Sequence, residues 1–167
     1  MITHPLKIKA QKFAFEAHKD QKRKYTGEPY FNHCEEVANI VSSVEHTVEM
    51  IAAAYLHDTV EDCGILIEEI EQKFGTIVAD LVRDLTDISQ PEDGNRAARK
   101  AIDREHTAKA SPFAKTIKLA DLISNSKSIT ELDPDFAKVY LKEKKLLMEF
   151  LKEGNPILYQ RAMEFIP

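Results

Sequence analysis

The feature that most constrains the fold is the spacing of apolar residues between widely separated glycines and prolines. Val37, Ile40, Val41 and Val44 recur at the i, i+3, i+4, i+7 spacing that gives a helix one apolar face. Similar patterns predict further helices, at about residues 6–19, 47–58, 66–74, 77–85, 113–131, 134–151 and 156–164. The sequence therefore predicts an all-α fold, a helical bundle of about eight to ten helices.

The chain of 167 residues contains no repeat, low-complexity tract or dividing linker, so we expect one domain over residues 1–167. A domain of this length buries roughly 70% of its unfolded-chain surface and needs no disulfide to fold. Cys34 and Cys63 have no C-x-x-C spacing, which fits a reducing compartment and leaves any metal to other ligands. With no leader-like start and no apolar run of about 20 residues, a cytoplasmic protein without a membrane partner is expected.

The charge balance limits the ligands that the protein can bind. The formal net charge of −5 argues against a general nucleic-acid partner, because phosphate backbones are held by an excess of Lys and Arg. A small phosphorylated ligand would need a local basic patch, a metal ion or both.

Two segments break the helical pattern and are predicted loops. Residues 26–30 form a Gly/Pro turn, and residues 87–95 form a polar stretch that we expect to be a lid or disordered.

The most informative segment follows the predicted helix at 47–58, where an apolar run meets four titratable side chains: His57, Asp58, Glu61 and Asp62. Carboxylates joined to a core helix need a cation, since they are seldom buried unless paired or bound to a metal. The alternative is that the helix ends at Leu56 and a solvated acidic cap follows.

Two other segments add residues of the same chemical type. Asn32 and His33 follow the Gly/Pro turn at the start of a helix, and Asp121 and Asn125 lie four residues apart on one helical face. Imidazole and carboxylate ligands of these types suit Mn, Fe, Co or Zn.

These motifs together resemble the hydrolase domain of the RelA/SpoT homologue family, within the HD phosphohydrolase superfamily. The resemblance runs from about residue 7 to 160 and rests on Arg23–Tyr30, Asn32-His33, Leu56–Asp62, Phe74-Gly75 and Lys118–Asp121. It implies an HD-type phosphohydrolase domain and, because no synthetase segment follows, a stand-alone small alarmone hydrolase. Such enzymes remove the 3′-pyrophosphate from guanosine tetra- and pentaphosphate (ppGpp and pppGpp), usually with Mn²⁺.

The resemblance also implies the roles of individual residues. The metal ligands are His33, His57, Asp58 and Asp121, and Glu61 and Asp62 transfer a proton or orient the attacking water. The nucleotide contacts are Arg23, Lys24 and Asn125.

The sequence departs from the family pattern after Asp121, where Leu122–Ser126 replaces a stretch that is usually more basic. Tyr140 and Lys144 lie one turn apart and could supply replacement contacts to the substrate. The other histidines, His4, His18, His46 and His106, are interpreted as surface residues. Tyr25 and Tyr30 are equally consistent with core and pocket wall, whereas Phe74 and the stripe at 77–85 are interpreted as core.

Three alternative functions stay open. The protein could be an HD phosphohydrolase for another purine nucleotide, such as an adenosine alarmone or a 2′-phosphorylated dinucleotide. It could instead be a regulator that binds the nucleotide without hydrolysing it, or a structural helical module. The sequence does not indicate the oligomeric state, the purine preference or the native metal.

Overall fold

A computed structural model describes residues 3–167 of the chain. In that part, ten α-helices and one short 3-10 helix are joined by loops, with an isolated bridge between Lys22 and Pro29 in place of any strand. The α-helices are α1 Pro5–Ala17, α2 Phe31–Ser42, α3 Val48–Leu56, α4 Thr59–Cys63, α5 Ile67–Phe74, α6 Thr76–Leu85, α7 Arg96–Ala108, α8 Pro112–Leu132, α9 Pro134–Met148 and α10 Pro156–Met163. The all-α prediction is confirmed.

The observed helices differ from the prediction at one boundary and by one helix that was not predicted. The helix expected at 47–58 ends at Leu56, because the backbone turns at Asp58 and a separate short helix, α4, follows. Helix α7 was not predicted, since alanines occupy most of its apolar positions and Ile102 is its one large aliphatic residue. Alanine favours helix but produces a weak apolar pattern.

The chain divides into two compact units, and in the first of them, up to Arg83, α3 is the central helix. Every residue of α3 from Met50 to Leu56 is buried, and α1 and α2 both pack against it. A helix that is apolar on all sides must be covered on all sides, so α3 provides a rigid base for the residues at its end.

The second unit begins at Asp84 and is centred on α8, which packs against α9 and α10. Buried residues occur all around α8 between Ala114 and Ser126. Gly154 lies so close to this helix that a Cβ added there would come within 2.7 Å of Cδ1 of Leu119. The packing of α8 therefore favours glycine at this position. Whether the two units act as the single domain expected from the sequence stays a prediction.

The segment at 87–95 is ordered, so its interpretation as a disordered stretch was wrong. Asp103, buried on α7, accepts hydrogen bonds from the backbone N–H groups of Ile88 (3.0 Å) and Ser89 (2.9 Å) and from the Ser89 hydroxyl (2.8 Å). The 3-10 helix Pro91–Asp93 follows within the same segment. That the segment acts as a lid stays a prediction.

Several predictions about single residues can be compared with their burial. Cys34 and Cys63 are free thiols, and Phe74 is buried as expected. His18, predicted to lie at the surface, is only 1% exposed. Ile77, predicted to lie in the core, is 62% exposed. Both predictions were wrong. Within residues 3–167, no helix combines the length and apolarity needed to span a membrane.

Candidate metal centre and catalytic site

His33 lies in the first turn of α2, directly after the Gly/Pro turn, and its side chain is buried. Its backbone N–H donates to the carbonyl of Tyr30 at 2.9 Å, which fixes the entry into the helix. The imidazole ring of His33 lies 5.3 Å from that of His57, centre to centre, in an edge-to-face arrangement. Two segments 24 positions apart in the sequence thus bring two imidazoles together.

His57 and Asp58 occupy the break between α3 and α4. His57 is buried at the C-cap of α3, so the alternative of a solvated cap after Leu56 fails at this residue. Oδ2 of Asp58 lies 2.9 Å from Nε2 of His57 and 3.7 Å from Nε2 of His33. Each of these three residues offers a ligand atom, and the three atoms lie within 4.8 Å of one another.

The protonation of His57 fits a metal ligand. Its Nδ1 lies 2.7 Å from the backbone carbonyl of Ala54, and since a carbonyl only accepts, Nδ1 must carry the proton. Nε2, which faces Asp58, is then the nitrogen available to bind a cation. Metal-ligating histidines typically hold their second nitrogen in such a hydrogen bond. The His/Asp cluster is therefore suited to a divalent metal.

Tyr30, which the sequence left undecided between core and pocket wall, contacts this cluster. Its phenol donates a hydrogen bond of 2.6 Å to Oδ2 of Asp58, and its ring packs edge-to-face on His33 at 5.4 Å. Tyr30 thereby orients the carboxylate that faces both imidazoles.

Glu61 and Asp62 lie on α4, one turn beyond His57 and Asp58, and the Asp62 backbone N–H donates to the Asp58 carbonyl at 2.9 Å. Partial desolvation raises the pKa of Asp62, although its side chain is still exposed to solvent, and a hydrogen bond from Gln21 at 3.1 Å opposes that rise. A carboxylate with a raised pKa beside the His/Asp cluster is a candidate for proton transfer.

Arg23 and Lys24 lie in the first unit, just before the Gly/Pro turn. The Arg23 guanidinium lies 5.8 Å from the centre of the Tyr30 ring, and the Lys24 ammonium lies 5.2 Å from that of Tyr25. Gly27 has φ of +71°, a backbone conformation that favours glycine, and it closes the loop that holds both cations.

In the second unit, α8 carries Asp121 and Asn125 on one face, as predicted. The Asn125 amide donates to Oδ1 of Asp121 at 2.9 Å, and the Lys118 ammonium lies 3.7 Å from Oδ2. Both oxygens of this carboxylate are thus oriented by residues of its own helix.

A polar pocket in the second unit carries four cationic side chains, belonging to Lys100, Arg104, Lys118 and Lys144. Burial, reinforced by repulsion from Lys118 and Lys100, lowers the pKa of Lys144 to about 8. Its ammonium lies 5.0 Å from the centre of the Tyr140 ring. Tyr140 itself is buried and its ring supports the lysine, and its contact with the substrate stays a prediction.

Two of the acidic residues around the pocket already have strong partners. Glu143 accepts two hydrogen bonds from Arg96, at 2.6 and 3.0 Å, and Asp103 holds the 87–95 segment. Arg96 therefore offsets the charge of Glu143, and the third carboxylate of the lining, Asp87, lies 3.9 Å from Lys100. The four cations of the lining outnumber its three carboxylates, which favours an anion in the pocket.

Comparison with known proteins identifies the family. The pattern described as the HD domain matches residues 10–147, which is most of the chain and spans parts of both units. The chain belongs to the HD domain family.

Two relatives of this HD domain protein are guanosine-3′,5′-bis(diphosphate) 3′-pyrophosphohydrolases named MESH1. The one from Danio rerio is 40% identical over 126 residues, covering 74% of this chain and 68% of the relative. The one from Homo sapiens is 35% identical over 131 residues, covering 77% and 72%. A solved structure of a metazoan ortholog of SpoT that hydrolyses ppGpp matches with a TM-score of 0.88 at 29% identity, covering 99% of this chain and 96% of that one.

Sequence reasoning missed several residues of this HD domain. Gln21 and Lys118 were not proposed, and Tyr30 was named without a role. Nothing in the sequence marks Gln21, because a glutamine between charged residues is typical of a solvated surface. The cationic pocket could not be predicted from the sequence, because Lys100 and Arg104 lie on α7, the helix that was not predicted.

Proposed function

We propose that this HD domain protein hydrolyses the 3′-pyrophosphate of ppGpp and pppGpp, giving GDP or GTP and pyrophosphate. The observation that carries the proposal is the convergence of His33, His57 and Asp58 in the first unit, with Tyr30 holding the carboxylate. The choice of ppGpp and pppGpp as substrates is supported by the MESH1 relatives, which are named for this reaction. It is also supported by the likeness to the SpoT ortholog that hydrolyses ppGpp.

The proposed metal set adds Asp121 of the second unit as a fourth ligand. This assignment is supported by the resemblance to the RelA/SpoT homologue family and by the bond from Asn125, which orients the Asp121 carboxylate. A mixed set of imidazoles and carboxylates suits Mn²⁺, which we propose as the ion. Bound there, the divalent cation supplies Lewis acidity and an activated water near neutral pH.

The proposed roles of Glu61 and Asp62 follow from the reaction. Water attacks the phosphorus that carries the ribose 3′-oxygen, the bond to that oxygen breaks, and the 3′-oxygen takes a proton. Glu61 is the more direct participant in accepting the proton of water, and Asp62 assists from the same turn of α4.

Nucleotide binding is assigned to cations in both units. Arg23 and Lys24 contact the purine and its phosphates, and Asn125 contacts the nucleotide beside Asp121. Lys144, supported by the Tyr140 ring, contacts the phosphate groups that do not react, because it lies in a pocket whose four cations outnumber its three carboxylates. The partner is therefore a small purine nucleotide, and we expect the protein to act in the cytoplasm.

The deciding experiment is a product assay. Purified protein is incubated with Mn²⁺ and ppGpp, and the products are separated by ion exchange. GDP and pyrophosphate are expected from the natural chain and neither from Asp58→Ala. Intact substrate at micromolar enzyme would contradict the proposal.

The same assay separates the alternatives. A panel that includes the adenosine alarmone and a 2′-phosphorylated dinucleotide reports base and phosphate preference. Tight binding of ppGpp without product would instead identify a nucleotide-binding regulator. A protein that binds neither metal nor nucleotide would be a structural module.

A further inference from the structure

His18 is a buried histidine that the proposed reaction does not use. It is the C-cap of α1 and is 1% exposed. Its Nδ1 lies 2.7 Å from Oε1 of Gln21 and 3.2 Å from Sγ of Cys63, and its ring packs on that of Tyr30 at 4.9 Å. An imidazole enclosed in this way has a fixed orientation.

The other end of the Gln21 amide reaches a proposed catalytic carboxylate. Its Nε2 donates to Oδ2 of Asp62 at 3.1 Å. Because a carboxylate only accepts, the nitrogen must face Asp62, and the amide oxygen must therefore face His18. The amide oxygen also only accepts, so Nδ1 of His18 must be the protonated nitrogen.

Gln21 is also connected to the His/Asp cluster, through its backbone. Its carbonyl accepts from the N–H of Tyr30 at 2.9 Å, and the phenol of Tyr30 donates to Asp58. The N–H of Gln21 in turn donates to the carbonyl of His18 at 2.9 Å. One residue thus links the carboxylate of the metal cluster to the carboxylate proposed to assist proton transfer.

We propose that His18 and Gln21 are positioning residues, which hold the Asp62 carboxylate in its working orientation through the chain His18 Nδ1–H to Gln21 to Asp62. The inference rests on the proposed function for the role of Asp62, and on the hydrogen bonds alone for the chain itself. The hydrogen bond from buried His18 fixes the Gln21 amide oxygen. The amide nitrogen is thereby oriented toward the Asp62 carboxylate. Both residues act through Asp62.

The first test is spectroscopic and requires no activity. Long-range ¹⁵N–¹H correlation spectra of the metal-free protein report which nitrogen of each histidine is protonated, and the signals of His18 are assigned by their loss in His18→Phe. The spectra of the natural chain are expected to show His18 protonated at Nδ1. In Gln21→Ala, which removes the acceptor, the fraction of His18 protonated at Nδ1 should fall. An Nε2–H pattern for His18 in the natural chain would overturn the proposal.

The second test is kinetic and uses Gln21→Glu. The new carboxylate still accepts from His18 but cannot donate to Asp62, so it repels Asp62 and frees it from its position. We expect kcat to fall by about 10- to 100-fold, with KM within about threefold and the metal content unchanged. The backbone hydrogen bonds of residue 21 to Tyr30 and His18 do not depend on its side chain. We therefore expect the His/Asp cluster to be retained in Gln21→Glu.

Gln11 offers a matched control. Its Nε2 donates to Oε1 of Glu35 at 3.1 Å, which is the same kind of glutamine-to-carboxylate bond in the same unit. Gln11→Glu introduces the same repulsion away from the site and should leave kcat unchanged. An equal fall in kcat for both variants, or a loss of metal in Gln21→Glu alone, would contradict a positioning role toward Asp62.

Failure of the inference is distinguishable from failure of the proposed function. If the natural chain is active and Gln21→Glu matches it, only the positioning role is lost. If the natural chain makes no product from any nucleotide tested, the proposed function is lost, while the tautomer of His18 still tests the hydrogen-bond chain.

Discussion

The phenol of Tyr30 donates a 2.6 Å hydrogen bond to Oδ2 of Asp58, the oxygen that lies nearest both His33 and His57. A tyrosine from the Gly/Pro turn thus fixes a carboxylate at the break between α3 and α4. Hydrogen bonds to a charged group are worth about 1.5–3 kcal/mol, so this contact is a substantial constraint on the geometry of the cluster.

Replacing Tyr30 with Phe should weaken metal binding while leaving the fold intact, because the ring remains packed on His18 and His33. The expected loss of metal affinity is about 10- to 100-fold, the usual effect of removing a partner of a ligand. Titration of the metal-free protein with Mn²⁺ by calorimetry measures it. Tyr25→Phe, which removes a hydroxyl from the same loop, is the control, and equal affinities for the two variants would contradict the role of the Tyr30 phenol.

Asp58→Ala and Glu61→Ala should separate metal binding from turnover. Asp58 faces both imidazoles, so its loss should remove bound metal and activity together. Glu61 lies one turn further on, and its loss should abolish turnover with the metal largely retained. Elemental analysis beside the ppGpp product assay makes the comparison. An equal loss of metal in both variants would mean that Glu61 is a ligand.

The affinity for substrate should weaken as the pH rises through about 8, because Lys144 loses its charge there. Burial lowers its pKa to about 8, and the charged groups that face it act in both directions: Lys118 and Lys100 lower the pKa, and Asp121 and Asp87 raise it. The lysine is fully charged below that pH, so its attraction for phosphate is complete there and is lost above it.

Lys144→Arg provides the matched control for this pH dependence, since a guanidinium stays charged across the range. KM for ppGpp measured between pH 6.5 and 9 should rise above pH 8 in the natural chain and stay flatter in Lys144→Arg. Lys144→Met should show a high KM that does not change with pH and that the natural chain approaches near pH 9. Identical profiles for the natural chain and Lys144→Met would exclude Lys144 from phosphate binding.

The sequence predicted the helical fold well but the environment of single residues unevenly. The repeated apolar spacing of α2 is a property of one segment, so it could be interpreted without the rest of the chain. His18 contacts Tyr30 and Cys63, which lie 12 and 45 residues further along the chain, and no local pattern reports such an environment. Resemblance to a family supplied the proposed ligands, whereas the hydrogen bonds that orient them came only from the structure.

Asp103→Ala should destabilise the second unit, because it removes the acceptor that holds the 87–95 segment. The N–H groups of Ile88 and Ser89 would lose their partner in a partly buried position. An unsatisfied donor of this kind costs about 1–3 kcal/mol, so we expect the free energy of unfolding to fall by about 2–3 kcal/mol. Urea denaturation followed by circular dichroism measures the change.

Asp93 offers the control for this prediction. Its carboxylate accepts from the N–H of Gln90 at 2.7 Å, in the same segment but exposed to solvent. In Asp93→Ala water can replace the lost acceptor, so the cost should stay below about 1 kcal/mol. An equal fall in the free energy of unfolding for Asp93→Ala and Asp103→Ala would mean that burial of the Asp103 carboxylate adds nothing to stability. The segment would then be held by its 3-10 helix and not by α7.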